Sequence, residues 1–278
     1  MTSRGTLHVV STPIGNRADL PPRAIEVLRA VTLVVAEDTR HTAPLLQWAG
    51  VTTPLRSHHQ HNEARETPML VARLLAGDDI AIVTDAGTPC LSDPGERLVA
   101  AAVAAGVPVA PVPGPSALLA ALVASGLPAV PFTFVGFLPR AAGERRTALA
   151  AALALPHTVV FYEAPPRVAD TLAEMDEAGA GARAVVVARE LTKRHEEFRR
   201  GTVAELAAYY RETAPRGEVV LVLAGAPAPM VDHAGAADVA RRLRSEGATV
   251  RDTVARLQAE FGLARNEAYR LAQGDGDA

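Results

Sequence analysis

Residues Val31 to Ala36 form a continuous run that is apolar at every position but Thr32. A short run with no polar alternation is what a strand buried on both faces requires. Similar runs recur at Leu7 to Ser11, Ile80 to Val83 and Val107 to Val112, rich in β-branched residues and separated by helical patterns at Ala24 to Ala30, Glu66 to Leu75 and Glu96 to Ala105. Strand and helix in alternation leave few architectures, and the one they favour is α/β. In an open α/β sheet, ligands sit outside the carboxyl ends of the strands. The segments directly after the apolar runs are therefore the first candidates for a site.

Four such segments are rich in turn or polar residues: Thr12 to Asn16, Glu37 to Thr42, Asp85 to Gly95, and Gly114 to Ala117. The third, Thr84-Asp-Ala-Gly-Thr-Pro-Cys-Leu-Ser-Asp-Pro-Gly95, is built for close backbone approach. Gly87 and Gly95 tolerate positive φ, and Pro89 and Pro94 stiffen what lies between. Only Arg40 and His41 offer positive side chains to a phosphate, and the Walker pattern is absent. The loop suits a ligand held by main-chain contacts, such as an adenosyl or amino-acid moiety. Gly179-Ala-Gly-Ala-Arg-Ala184 matches G-x-G-x-x-A formally, but it follows a helix and precedes a strand, the reverse of the dinucleotide fingerprint.

Pro111-Val-Pro-Gly-Pro-Ser116 interrupts the alternation and marks a domain boundary. We expect an α/β domain over 1–114 and a second over 115–225, the latter with strands at Phe132 to Phe137, Thr158 to Tyr162, Ala184 to Ala188, Glu197 to Gly201 and Glu218 to Ala224. Glu197 to Gly201 follows its predecessor so closely that an antiparallel element is expected. Asp19 is expected to cap a helix with Pro21 and Pro22 in its first turn. Ala226 to Pro229 reads as a linker, and helices follow over 232–274, with Gly262 at a turn between two of them.

A net charge of −3 gives no global signal for nucleic acid, so such a role needs a local patch. The one cysteine, Cys90, precludes an internal disulfide and fits a reducing compartment. No secretory signal and no apolar run of about 18 residues is present, which leads us to expect a soluble cytoplasmic protein without a membrane partner. Lys193 is the only lysine among 28 basic residues, which draws notice to Glu190-Leu-Thr-Lys-Arg-His195. At Glu37-Asp-Thr-Arg-His41, carboxylates, a guanidinium and an imidazole adjoin. This is the equipment of a general base beside a phosphate anchor, or simply a helix start with acidic residues. His58, His59, His61 and Glu63 have metal-ligand chemistry, but adjacent histidines on one loop do not close a site without further ligands. No metal is expected.

On Thr12-Pro-Ile-Gly-Asn16, Ala36-Glu-Asp-Thr-Arg-His-Thr42, Thr84-Asp-Ala-Gly-Thr-Pro89 with Asp93-Pro-Gly95, Val112-Pro-Gly-Pro115, Gly136-Phe-Leu-Pro139, Phe161-Tyr-Glu163 and Ala188-Arg-Glu-Leu-Thr-Lys193, the chain resembles the tetrapyrrole methylase superfamily. It is most similar to the RsmI-type branch, the bacterial 16S rRNA cytidine 2′-O-methyltransferases. The resemblance implies two α/β domains with S-adenosyl-L-methionine in the cleft between them, and a homodimer. It places Pro13, Asp85, Ala86, Gly87, Thr88, Leu91, Ser116, Ala117, Glu163 and Ala188 along the cofactor. It implies methyl transfer to a ribose 2′-oxygen in the decoding region of 16S rRNA, with the small ribosomal subunit as partner. Glu37 or Asp38 is then the expected base, with Arg40 and Lys193 holding a phosphate or stabilising developing charge. The arginines at 241, 242, 244, 251, 256, 265 and 270 leave the last helices open as an RNA contact, a dimer support or a solvated tail. Two alternatives remain: a methylase of the same fold acting on a tetrapyrrole or other small molecule, and a non-catalytic nucleotide-binding module.

Overall fold

The computed structural model describes residues 4–227 and 232–274. The chain divides into two compact units, Met1–Ala226 and Pro227–Ala278. The first unit holds two five-stranded sheets.

The first sheet is wholly parallel. Its strands are β1 (Leu7–Val10), β2 (Leu33–Ala36), β3 (Leu55–Ser57), β4 (Ile80–Val83) and β5 (Val109–Val112), in the order β3-β2-β4-β1-β5. All four residues of β2 and of β4 are buried, as their uniform apolarity demands. Helices α1 (Pro22–Ala30) and α2 (Thr39–Trp48) cover one face through Ala24, Leu28 and Leu46. Helices α3 (Glu63–Leu75) and α4 (Glu96–Ala104) cover the other through Leu70, Leu74 and Leu98. Pro111 lies in β5, an edge strand, where a missing N–H is tolerated. Asp19 does not cap α1. It ends a separate short 3-10 turn, Arg17–Asp19, capped by Asn16, and α1 starts at Pro22 after Pro21 without a side-chain cap. The paired prolines preset φ for the first turn and so replace the capping carboxylate.

Helix α5 (Ala117–Ser125), capped by Ser116, leads into the second sheet. That sheet comprises β6 (Phe132–Phe137), β7 (Thr158–Glu163), β8 (Ala184–Arg189), β9 (Glu197–Thr202) and β10 (Val219–Leu223), in the order β6-β7-β10-β8-β9. Only β6 and β7 run parallel. The expected antiparallel β9 is present, and β10 inserts antiparallel between β7 and β8. Helices α6 (Ala142–Leu153), α7 (Val168–Met175) and α8 (Val203–Glu212) bury Leu149, Leu172 and Leu206 on one face. On the other, α5 packs Leu118 and Leu122 against Val160, Val186 and Val220. Gly179–Ala184 closes a helical segment and enters β8, so it cradles no dinucleotide.

The second unit is a three-helix cluster of α9 (His233–Ser245), α10 (Val250–Phe261) and α11 (Arg265–Gln273), around Ala236, Ala240, Leu257 and Leu263. Gly262 ends α10 in the left-handed conformation, φ +68°, at the turn its sequence position suggested. The end of the expected linker, 228–229, lies outside the described residues. Among the described residues no helix is long and apolar enough to cross a membrane.

Candidate active site

Parallel pairing brings the loops after β1, β2, β4 and β5 to one edge of the first sheet, and hydrogen bonds stitch them together. Thr12 and Gly87 exchange backbone bonds of 2.8 and 3.1 Å. The Thr12 hydroxyl donates to the Thr84 carbonyl at 3.0 Å, and the Thr88 hydroxyl donates to the Pro115 carbonyl at 3.1 Å. The backbone groups of Gly87 are therefore engaged with Thr12, while the amides of Ala86 and Thr88 have no intramolecular partner among the described residues. The main-chain donors anticipated in this loop are these two rather than that of Gly87. Cys90 and Ser92 adopt positive φ, 70° and 66°, as do Glu190 and Thr192 in the β8–β9 connection, 52° and 63°. Four non-glycine residues held in this sparsely populated region, in two loops beside one cleft, are the kind of stored strain that accompanies binding sites.

Between these loops and the ends of the second sheet lies a cavity of about 450 Å³, within the span of small-molecule sites. Glu37, Asp85, Ala86, Gly87, Thr88, Leu91, Ser116, Ala117 and Glu163 all line it. Ala188 does not. It is fully buried in β8 against the α5 side of the core, and its cross-strand partner Val220 faces the cavity instead. Pro13 lines a smaller, neighbouring chamber. Asp93, Phe137, Tyr162 and Leu191, which lie in the motifs of the resemblance but were not assigned to the site, and Glu218, which lies in none of them, also line the cavity. For Asp93 a signal exists, since the Asp-Pro-Gly turn that carries it stands out in the sequence. The other four depend on which ends of the second sheet meet the first.

The electrostatics of the cavity are one-sided. Glu37, Asp85, Asp93, Glu163 and Glu218 contribute five carboxylates, and among the described residues no lysine, arginine or histidine lines it. Burial pushes the Glu37 carboxyl up from its usual value, helped by the charge of Asp85. Burial likewise raises Asp93 to about 6, with Glu37 adding repulsion. The Thr84 hydroxyl serves both groups, donating to Glu37 at 3.5 Å. Glu163 differs in being internally compensated. Its carboxylate accepts from the Thr171 hydroxyl at 2.6 Å and lies 3.4 Å from Arg167 and 3.6 Å from Arg145, which is itself buried. It shapes the wall rather than offering a free charge.

Asp38 and Arg40 stand apart from the cavity. The Arg40 guanidinium bonds both Asp38 oxygens, at 2.6 to 3.1 Å, and is almost fully exposed. That bond holds the Asp38 carboxyl down to about 2, which makes it a poor proton acceptor. Lys193 is fixed between Glu190 at 2.9 Å and Glu218 at 3.1 Å, and its stem covers Gly15, where a Cβ would come within 2.4 Å of Cγ. Lys193 lines the second chamber, of about 300 Å³, with Pro13, Arg17, His41 and Thr42, and this chamber shares Ile14, Asp85, Ala86 and Glu218 with the first. The loop histidines do not join either chamber. His58 is buried, and among the described residues neither ring nitrogen has a hydrogen-bond partner. Among the described residues no three His, Cys, Asp or Glu side chains gather as a metal site would need.

The larger cavity fits S-adenosylmethionine by the chemistry of its walls. Ile14, Leu91, Phe137 and Val220 provide apolar surface for a heterocycle, the Ala86 and Thr88 amides provide donors, and an excess of carboxylates favours a cationic centre over a polyphosphate.

Residues 6–207 match the family model described as Tetrapyrrole (Corrin/Porphyrin) Methylases. The chain is 44% identical to ribosomal RNA small subunit methyltransferase I of Synechocystis sp., over 96% of this chain and 97% of that protein. It is 48% identical to the protein of that name in Pseudomonas aeruginosa, over 87% of this chain and 86% of the relative. Its fold is similar to a crystal structure of uroporphyrin-III C-methyl transferase from Thermus thermophilus in complex with S-adenyl homocysteine. The TM-score is 0.57 at 19% identity, covering 79% of this chain and 97% of the other.

Proposed function

The chain belongs to the tetrapyrrole methylase family, and from that premise we propose that it methylates small-subunit ribosomal RNA, at the ribose 2′-oxygen of a cytidine in the decoding region of 16S rRNA. It is an S-adenosylmethionine-dependent methyltransferase. The observation that carries the reading is the cavity with five carboxylates and no cation, joined to a second chamber that holds Arg17, His41 and Lys193. A cationic methyl donor suits the first chamber, and a polyanionic acceptor suits the second.

Bound in the larger cavity, S-adenosylmethionine supplies a methyl group activated on a sulfonium. The protein's part is to place a ribose hydroxyl in line and to take its proton. A 2′-hydroxyl is a weak acid, so a base that removes its proton as the bond forms lowers the barrier. Of the two adjacent carboxylates, Glu37 is the one suited to this role. It faces the cavity, and its elevated pKa makes it the better acceptor, whereas Asp38 is tied to Arg40. Lys193 and Arg40 belong to the acceptor side, Lys193 in the smaller chamber and Arg40 on the open surface outside it. Pro13, Asp85 to Thr88, Leu91, Ser116, Ala117 and Glu163 are assigned to the cofactor, with Pro13 acting from the shared rim.

A second copy of the chain is the expected partner besides RNA. Leu119 and Val123 on α5 and Val130 before β6 are 50%, 74% and 85% exposed, and apolar side chains so close in sequence and so exposed call for a cover. We place the reaction in the cytoplasm on the small ribosomal subunit. The test is transfer of labelled methyl groups to small subunits from cells lacking this protein, followed by mapping of the product. A cytidine 2′-O-methyl group is the expected result. Label entering only a porphyrinoid, or none at all, overturns the proposal.

A further inference from the structure

The smaller chamber contains a feature that the proposed reaction leaves unused. Thr42, in the first turn of α2, is only 3% exposed, yet among the described residues its hydroxyl has no hydrogen-bond partner, and the residue lines the chamber. A buried hydroxyl without a partner costs free energy comparable to that of an unmade hydrogen bond. Around it the carboxylates are already engaged. Asp85 accepts from the Asp38 amide at 3.1 Å, and Glu218 from the Lys193 ammonium at 3.1 Å. The Arg17 guanidinium and the His41 ring, in contrast, make no side-chain hydrogen bond or ion pair among the described residues. The chamber thus holds a guanidinium and a buried hydroxyl without hydrogen-bond partners among the described residues, and an imidazole whose interaction is electrostatic, with Asp38, beside a lysine poised between carboxylates. Its four shared wall residues join it directly to the larger cavity.

We propose that this chamber seats a backbone phosphate of the acceptor polynucleotide next to the reacting ribose, with Thr42 donating from the floor, Arg17 and His41 from the walls, and Lys193 supplying charge. The proposal rests on the reading of the protein as an RNA methyltransferase and adds where its substrate is gripped. Thr42 acts as a neutral donor that fixes orientation. Arg17 and Lys193 act as charges whose contribution weakens with salt. Anchoring here fixes the ribose in register at the mouth of the cofactor cavity, so the seat contributes to the acceptor KM.

The experiment compares the wild-type protein with Thr42→Val, Thr42→Ser and the double variant Arg17→Gln/Lys193→Gln. It measures methyl transfer to unmodified small subunits across a range of salt concentrations, and affinity for S-adenosylhomocysteine by calorimetry. Wild-type transfer to RNA establishes the underlying reading separately, and its absence overturns that reading rather than this one. For the seat, the double variant lowers the salt slope of log(kcat/KM) by about 0.7 to 0.9 for each phosphate no longer neutralised. Thr42→Val raises the acceptor KM about fivefold, as expected for one hydrogen bond, with an unchanged slope, and Thr42→Ser restores it. Cofactor affinity stays the same throughout. An unchanged slope in the double variant overturns the proposal. So does a weakening of cofactor affinity with acceptor KM unaltered, because the anion held here is then the cofactor's own carboxylate.

Discussion

At the scale of single residues, the division between Glu37 and Asp38 shows how neighbours in sequence acquire different chemistry. Asp38 caps α2 through the Arg40 amide and is bonded again by the Arg40 side chain, so it stays ionised far into acid. Glu37 points into a desolvated cavity and resists ionisation. Replacing Glu37 by Gln is expected to lower kcat by about 10² to 10⁴, the span of general-base catalysis, with cofactor affinity nearly unchanged. Asp38→Asn should retain most activity and most of the helix stability, because Asn caps a helix as well as Asp and the lost ion pair is exposed. Equal kcat losses in the two variants would contradict the assignment. Asp93 offers a separate check. Its folded pKa, about 6, lies above the ordinary value of 3.8, so the folded state holds this proton more tightly than the unfolded one. Stability from that proton is present below about pH 4 and is lost as pH rises through 6. Asp93→Asn should therefore melt higher than wild type at pH 7 and at the same temperature near pH 4. The same gap at both pH values would remove the role assigned to burial.

At the scale of elements, the wall built by β7 depends on a buried ion network rather than on packing alone. Arg145 on α6 reaches Glu163, Glu174 and the Thr171 hydroxyl. Arg145→Ala leaves Glu163 buried beside Arg167 alone and should cost about 3–5 kcal/mol in urea denaturation. Coupling Arg145→Met with Glu163→Gln should recover much of that loss. Helix α5 makes the complementary point, since it is apolar on every side yet covered on one only. The wild type is expected to sediment as a dimer and Val123→Lys as a monomer, and identical species for the two would overturn a subunit contact on α5. The parallel sheet and its strand-end loops were legible because β2 and β4 are uniformly apolar and their loops carry turn residues. The insertion of β10 between β7 and β8 was not, because antiparallel order depends on long-range pairing that no local pattern encodes. For the same reason Glu218 went unmarked, and Ala188, expected along the cofactor, is buried in β8 beside the cavity-lining Val220.

At the scale of the whole molecule, the two chambers differ in charge balance, the smaller one setting Arg17 and Lys193 against Asp85 and Glu218, and the carboxylate-lined one is sensitive to the charge of what fills it. Methyl transfer converts a sulfonium into a neutral thioether while the shape of the molecule barely changes. Walls that carry unpaired carboxylates at Glu37 and Asp93 favour the first form and have less hold on the second. Electrostatics of this kind are expected to favour fresh donor over used donor and to weaken product inhibition without any moving part. Acid removes the distinction. As pH falls through the raised pKa values of Glu37 and Asp93, the ratio of S-adenosylmethionine to S-adenosylhomocysteine affinities should fall toward one. Titration calorimetry at pH 5 and pH 8 measures that ratio, and a pH-independent value would show that the carboxylates do not sense the sulfonium. The excess of negative charge around the donor then acts as a release mechanism as well as a means of capture.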